Sequence, residues 1–329
     1  MKKITSNIIK VGISLAISAV ILYFVYRDYD FSEFWSGIAE MRLGWLWLAL
    51  LCSAIGPLLR GLRWNLLLDP IGCKVLVRDS ILTVFTGYAA NIIVPRIGEI
   101  CRCAILDRNN KVPFSKSFGT LVAERFVDFI FLLLLTVITV VTQRKMFIDL
   151  FAGKAGIYGS TAVTETAETP ADPHIWLWIA AAVLVAIFCI VRIRFRLWER
   201  ILGFIKGFWA GFVSLRQIDR LPLFLAYSTG IWICYYLEMY AAFFCIDSIA
   251  GVGPIAGLVC FVAGSIAVLV PTPNGAGPWH FAVTSMLVLY GIGQTDAQTF
   301  ALVLHTAQTA TYLLCGAIAW IALHFVKRT

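Results

Sequence analysis

Long apolar runs, separated by short polar stretches, dominate the chain. They have the near-continuous hydrophobicity of membrane-spanning helices, which need about 20 apolar residues each. The full-length runs lie at 8–26, 44–59 (with a continuation toward Leu68), 117–142, 175–194, 222–246 and 298–326. Two further apolar segments, 79–94 and 254–270, each end at a break rich in proline and glycine. The pattern predicts an all-α polytopic membrane protein with about six full spans and two re-entrant or broken helices.

The composition strengthens this prediction. Hydrophobic residues make up 60% of the 329 residues, charged residues make up 14%, and the mean hydropathy is +0.84. A soluble domain of this composition would expose apolar surface on every side, and no segment is large enough for a soluble catalytic domain. The first run lacks a small-x-small cleavage site, so we interpret it as a retained helix. The nine cysteines show no metal-site spacing, and we predict neither a metal site nor a cofactor.

The positive charges predict the topology. Most of the 27 Lys and Arg residues fall on one side if the amino terminus is inside and both broken segments are re-entrant. That side comprises the amino terminus, 60–79, 95–116, 192–220 and the carboxyl-terminal tail. The positive-inside rule makes this side cytoplasmic. We therefore predict a protein of the cytoplasmic (inner) membrane with both termini in the cytoplasm.

The same arrangement predicts two inverted halves within a single membrane domain, 1–329. The first half covers 1–142, an external loop covers 143–174, and the second half covers 175–329 with an amphipathic cytoplasmic linker at 195–220. Broken helices at matching positions of inverted halves indicate a transporter site near the membrane midplane. The alternative is that both breaks are ordinary proline-capped helix ends at the membrane surface.

Several charged residues lie within or beside the membrane in the first half. Glu124 and Asp128 are four residues apart, so they share a helix face, and Arg125 lies between them. Unpaired charges at this depth cost about 2–3 kcal/mol each, so they need protein or water around them.

The residues around the first break supply the expected partners. We expect Arg96 and Arg102, from the re-entrant segment broken by Pro95, to pair with the helix carboxylates. Gly98 would allow close backbone approach, and Glu99 would balance part of the positive charge. A net-basic pocket of guanidinium groups suits a phosphate. The equal alternative is a structural ion-pair cluster that fixes the hairpin to the helix without any ligand.

The second half supplies further candidate binding residues. Asn274 and His280 lie at the outer break, and His305 lies in the last helix. Glu238 is an intramembrane carboxylate, which is a candidate proton site or a structural hydrogen-bonding group.

Four segments of the sequence together resemble a known family. They are RGLRWNLLL at 60–68, VPRIGEICRCAIL at 94–106, ERFVDFIFLLLL at 124–135 and VPTPNGAG at 270–277. The chain resembles the lysylphosphatidylglycerol synthase transmembrane-region family, the flippase-like membrane domain of the multiple peptide resistance factor type. The resemblance covers essentially the whole chain, without the aminoacyl-transfer domain of the larger proteins.

The resemblance implies roles for particular positions. The matching residues are Pro95, Arg96, Gly98, Glu99 and Arg102 at the first break, Glu124, Arg125 and Asp128 in the next helix, and Pro271, Pro273, Gly275 and Gly277 at the second turn. Two departures remove charge from the second half. Trp279 and His280 stand where many members carry a Glu, and His305 stands where the last helix often carries an Arg.

The resemblance implies that the chain binds or moves an amphiphile between leaflets. The expected cargo is an anionic phospholipid, an aminoacyl-lipid or a polyprenyl-phosphate-type lipid. The partners expected are therefore a membrane lipid with a phosphate-containing headgroup and no nucleic acid, and the sequence permits a homo-oligomer. The alternatives are a non-transporting scaffold that recruits a cytoplasmic enzyme through 195–220 and, ranked below it, an intramembrane enzyme acting on a lipid phosphate.

Overall fold

The computed structural model describes residues 2–145, 148 and 218–325, and within these ranges it consists of helices and connecting turns without strands. The first part contains α1 (Lys2–Tyr26), α2 (Phe31–Glu40), α3 (Leu43–Leu68), α4 (Val77–Ile93), α5 (Ile97–Asn110) and α6 (Phe114–Thr142). The second part contains α7 (Leu221–Phe243), α8 (Asp247–Ala250), α9 (Pro254–Ala267), a 3₁₀ turn (Pro273–Gly275), α10 (Pro278–Leu289) and α11 (Gln294–Phe325).

Three of the described helices, α3, α6 and α11, are long and apolar enough to cross a membrane. Helices α1 and α7 have 25 and 23 residues, which also exceeds the length of about 20 that a span requires. The chain is an integral membrane protein. The predicted total of about six spans remains a prediction, because the run at 175–194 lies outside the described residues.

Helices α4 and α5 form the first hairpin. Asn110 Nδ2 donates to Asp79 Oδ2 at its open end (2.9 Å), and the Gly98 amide donates to Asn91 Oδ1 near its tip (2.7 Å), so the two helices run antiparallel. The chain reverses at Pro95, which cannot continue the hydrogen-bonding pattern of α4, and at Arg96, whose φ of 61° is left-handed. Gly98 lies directly against the Gly87 carbonyl, so a larger residue does not fit there.

Helices α9 and α10 form the second hairpin, in which Gly264 of α9 packs against the Trp279 ring of α10. The intervening turn contains Pro271 and the 3₁₀ turn that begins at Pro273. Its φ values are left-handed at Asn274 (48°), Gly275 (73°) and Gly277 (93°). Helix α1 packs on this turn, where Ser14 Oγ donates to the Pro271 carbonyl and Ser18 Oγ donates to the Ala276 carbonyl.

The two hairpins contact long helices of the other part of the chain. Helix α3 runs antiparallel to α7, because Gly56 packs on Tyr235 and Arg63 Nη1 donates to Ser228 Oγ (3.1 Å). Helix α4 packs against α11, where Gly316 lies against Ala89. Each of the two helix–break–helix units is thus enclosed by helices from both parts of the described chain.

The structure refines two of the predicted basic stretches without testing on which side of the membrane they lie. Most of the segment 95–116 forms helix α5, and Arg102 within it is buried. The stretch 60–79 begins inside α3, with Arg60 and Arg63 buried. The predicted external loop at 143–174 and linker at 195–220 lie outside the described residues except at their edges.

The Gly98→Ala substitution should destabilise the protein by about 1–3 kcal/mol, because the added methyl group overlaps the Gly87 carbonyl and forces the hairpin apart. Thermal unfolding of the detergent-purified protein measures the change. The control is Gly119→Ala in α6, where an added Cβ meets no atom within 4 Å. Equal unfolding temperatures for the two variants would contradict the close contact of α4 and α5.

Candidate functional site

Two arginines of α3 meet two carboxylates of α6 inside the protein. Arg60 Nη1 lies 2.6 Å from Glu124 Oε1 and 2.7 Å from Asp128 Oδ2. Arg63 Nη2 lies 2.8 Å from Asp128 Oδ1 and 3.3 Å from Glu124 Oε1. The i, i+3 spacing of the arginines and the i, i+4 spacing of the carboxylates place each pair on one helix face. The two helices are therefore joined by a four-membered ion cluster.

Arg102 of α5 adds a third guanidinium to this cluster. Its Nη2 atom lies 3.1 Å from Glu124 Oε2, and its guanidinium lies 4.1 Å from the centre of the Trp64 ring. Trp64 is fully buried and donates from Nε1 to Thr120 Oγ1 at 3.0 Å. The stacked tryptophan supports the guanidinium through a cation–π interaction. The first hairpin is thereby fixed to α3 and α6 together.

Arg125 and Glu99 form the outer edge of the cluster. Arg125 Nη2 lies 3.1 Å from Glu124 Oε1, and its Nε lies 3.4 Å from Glu99 Oε1. The Arg125 side chain is 42% exposed, whereas those of Arg60, Arg63 and Arg102 are at most 5% exposed. Arg125 is therefore the guanidinium of the cluster that the described residues leave most accessible.

The cluster has more positive than negative charge. Counted over the part of the chain that the structure describes, its four arginines face three carboxylates, those of Glu99, Glu124 and Asp128. Among the described residues, the Nε atoms of the three buried arginines have no hydrogen-bond partner. Buried ions are tolerated when they are paired and hydrogen-bonded, and an excess charge is unfavourable unless an opposite charge joins it. The arrangement therefore favours an additional anion.

Arg96 does not occupy the place that the sequence predicted for it. It is exposed, and its Nη2 atom donates to the backbone carbonyl of Leu269 at 2.6 Å. That carbonyl lies just after α9, where the helix has ended. Of the two predicted partners of the helix carboxylates, only Arg102 makes that contact. Arg96 instead connects the tip of the first hairpin to the break of the second.

Three second-half candidates lie together at the second break. The rings of His280 and His305 are 4.4 Å apart, and His305 Nε2 lies 3.0 Å from the Asn274 carbonyl oxygen. The Gly277 amide donates to His280 Nδ1 at 3.3 Å, and Asn274 Nδ2 donates to Thr309 Oγ1 at 2.8 Å. These contacts hold the irregular turn against α10 and α11.

Glu238 stands apart from the turn residues. It is buried in α7 and accepts a hydrogen bond from Gln308 Nε2 of α11 at 2.6 Å. No salt bridge to Glu238 occurs within the described ranges. It is a buried carboxylate that accepts a hydrogen bond from a neutral amide.

Sequence reasoning missed the central part of the first cluster. The family-like segment 60–68 contains Arg60, Arg63 and Trp64. The charge pattern, however, places both arginines at the cytoplasmic end of an apolar run. The available signal was their spacing, since residues i, i+3 and i+4 share a helix face and all three stood in a sequence predicted to continue toward Leu68.

The model of one protein family, described as the lysylphosphatidylglycerol synthase TM region, matches residues 11–316. The chain belongs to this family. The match includes both hairpins and the whole ion cluster, and membership indicates a lipid-related function in the membrane. No curated protein and no solved structure matches the chain.

The Glu124→Gln substitution should destabilise the protein by about 3–5 kcal/mol, because it leaves buried guanidinium groups without their shared carboxylate. Thermal or denaturant unfolding measures this loss. The matched control is Asp107→Asn on α5, an exposed residue, which should change stability by less than about 0.5 kcal/mol. A small effect of Glu124→Gln would mean that the cluster does not hold α3, α5 and α6 together.

Proposed function

We propose that the chain binds a lipid with an anionic, phosphate-containing headgroup and moves it between leaflets. The observation that carries this proposal is the ion cluster with one guanidinium in excess, whose most accessible member is Arg125. An arginine open at membrane depth needs an anion or water beside it, because exposure to hydrocarbon alone is unfavourable. A phosphate satisfies both the excess charge and the forked donor geometry of a guanidinium.

Helix α6 also offers a path for the lipid chains. Thr136 is 11 residues after Arg125, which is close to three helical turns, so both lie on the same face about 16 Å apart. Thr136 lines an apolar cavity of about 1040 Å³ between α1, α6, α9 and α10. A headgroup at Arg125 could therefore extend its hydrocarbon chains along α6 toward this cavity. The size and apolar lining of the cavity suit hydrocarbon chains, because burying apolar surface away from water lowers the free energy.

The proposal includes the two inverted halves with one re-entrant hairpin each. Helices α4 and α5 have 17 and 14 residues, and α9 and α10 have 14 and 12, so each is at most about 25 Å long and shorter than a bilayer core of about 30 Å. The contact of Arg96 with Leu269 supports hairpins that enter from opposite sides and meet at their tips. The irregular backbone then lies within protein, where its polar groups can be satisfied.

The proposal also includes the location, the orientation and the cargo class of the protein. The protein would reside in the bacterial inner membrane with both termini in the cytoplasm, and it would act as a transporter and not as an enzyme. The cargo class is an anionic phospholipid, an aminoacyl-lipid or a polyprenyl-phosphate-type lipid. The scaffold alternative depends on residues 195–220, of which the structure describes only 218–220.

The Arg125→Gln substitution should reduce the retained anionic lipid about tenfold or more, because a charge-assisted hydrogen bond contributes about 1.5–3 kcal/mol. Mass spectrometry of lipids that copurify with the protein in detergent measures the loss. The matched control is Arg108→Gln on α5, which removes the same charge from an exposed site outside the cluster. Equal lipid content in wild type and both variants would overturn the assignment of Arg125 to the headgroup.

A further inference from the structure

We infer that Glu238 takes up one proton when an anionic headgroup binds at the arginine cluster, so that lipid and proton move together. This inference rests on the proposed function and adds the coupling ion to it. The step is a simple protonation: hydronium from the aqueous phase transfers its proton to a carboxylate oxygen of Glu238 and becomes water. Release reverses the step.

The described surroundings of Glu238 contain no cation beside its carboxyl group, so its ionised form depends on positive charge farther away. Gln308 donates to Oε1, and Ser53 of α3 faces the same carboxyl group. The titratable groups around it in the described part of the chain are Cys52 of α3, Cys234 of α7 and Tyr312 of α11. All three are neutral near pH 7. An ionised Glu238 would therefore be a buried negative charge without a local cation, which is unfavourable in a membrane.

Tyrosines connect this carboxyl group to the arginine cluster. Tyr235 lies one turn before Glu238 on α7, and its hydroxyl oxygen is 2.5 Å from that of Tyr88. The Tyr88 ring lies 4.9 Å from Tyr312, which is one turn after Gln308 on α11. Tyr235 and Tyr88 both lie near the Arg60 guanidinium. A column of polar groups thus runs from Glu238 to Arg60.

The length of this column is short enough for electrostatic coupling. Ser53, which faces Glu238, and Arg60 are seven residues apart on α3, a distance of about 10 Å along the helix axis. Charges separated by this distance inside a protein interact more strongly than they do in water, because the surroundings are less polar. The charge state of Glu238 is therefore felt at the cluster.

Charge balance then links the two sites. With the cluster empty, its one excess positive charge lowers the free-energy cost of ionising Glu238. With a singly charged phosphodiester bound, the cluster is balanced by the ligand, and a protonated Glu238 keeps the membrane interior neutral. Binding of the anion and uptake of the proton therefore favour each other, and each must strengthen the other by the same factor.

Titration of the purified wild-type protein with short-chain phosphatidylglycerol tests this coupling. Its phosphodiester keeps one negative charge between about pH 6 and about pH 9, so a pH effect reports on the protein. We expect an affinity at least about fivefold higher at the lower pH, and net proton uptake in weakly buffered solution. The sign follows because the bound state holds the extra proton, so raising the pH opposes binding.

Two substitutions locate the proton. Glu238→Gln should bind with an affinity that does not vary with pH and without proton uptake, whereas Glu238→Asp, which keeps a titratable carboxyl group, should retain both. An unchanged pH dependence in Glu238→Gln would overturn the inference and assign the proton elsewhere, for example to His280 and His305. If Glu238→Gln does not fold, the wild-type proton-uptake measurement still decides, since binding without uptake excludes the coupling.

Two further ligands separate this inference from the proposed function. Short-chain phosphatidylcholine, whose headgroup has no net charge, should bind without proton uptake. Glycerophosphoglycerol, the free headgroup, reports whether the phosphate is recognised without hydrocarbon chains. If it binds with proton uptake, the coupling is supported, but the site does not require a lipid. Failure of phosphatidylglycerol to bind at either pH would overturn the proposed function, whereas its binding without proton uptake would overturn the coupling alone.

Discussion

The pairing of charges in a medium that cannot solvate them controls this structure. Glu124 is completely buried, and several guanidinium groups from three helices surround it. Removing such ions from water is unfavourable, so they hold the structure only if each finds partners in a fixed geometry. Helices α3, α5 and α6 must therefore keep one relative position, and the first hairpin cannot shift without separating Arg102 from Glu124. The apolar surfaces of these helices could pack in several ways, whereas the ions permit few.

The second half satisfies its irregular backbone in a different way. Its turn uses few charges, and the carbonyl groups released by Pro271 and the left-handed residues are bound by Ser14, Ser18, His305 and Arg96. Apart from Arg96, these donors need no charge, because backbone carbonyls are dipoles and not ions. The two halves thus differ in electrostatics although each contains a helix–break–helix unit. This difference is consistent with the headgroup site proposed in the first half. The second half contains the irregular turn and the buried Glu238.

The sequence predicted those features that local rules determine. Hydrophobic runs indicated the long helices, proline and glycine indicated both breaks, and the four-residue spacing placed Glu124 and Asp128 on one face. The partners of those carboxylates were only partly predictable. Arg60 and Arg63 lie near the end of an apolar run, where arginines usually reach the membrane surface. Arg96 lies away from the cluster and donates to the Leu269 carbonyl, a contact between segments 173 residues apart that no local rule predicts.

The contact between α1 and the second turn has a consequence for biogenesis. Ser14 Oγ donates to the carbonyl of a residue that is synthesised 257 positions later, and Ser18 does the same for one 258 positions later. During translation, α1 is therefore made long before the turn on which it packs, and Ser14 and Ser18 gain these hydrogen-bond acceptors only after the second turn has been synthesised. Final assembly is therefore post-insertional, and a nascent chain stopped before the second hairpin would leave the inward face of α1 open to membrane chaperones.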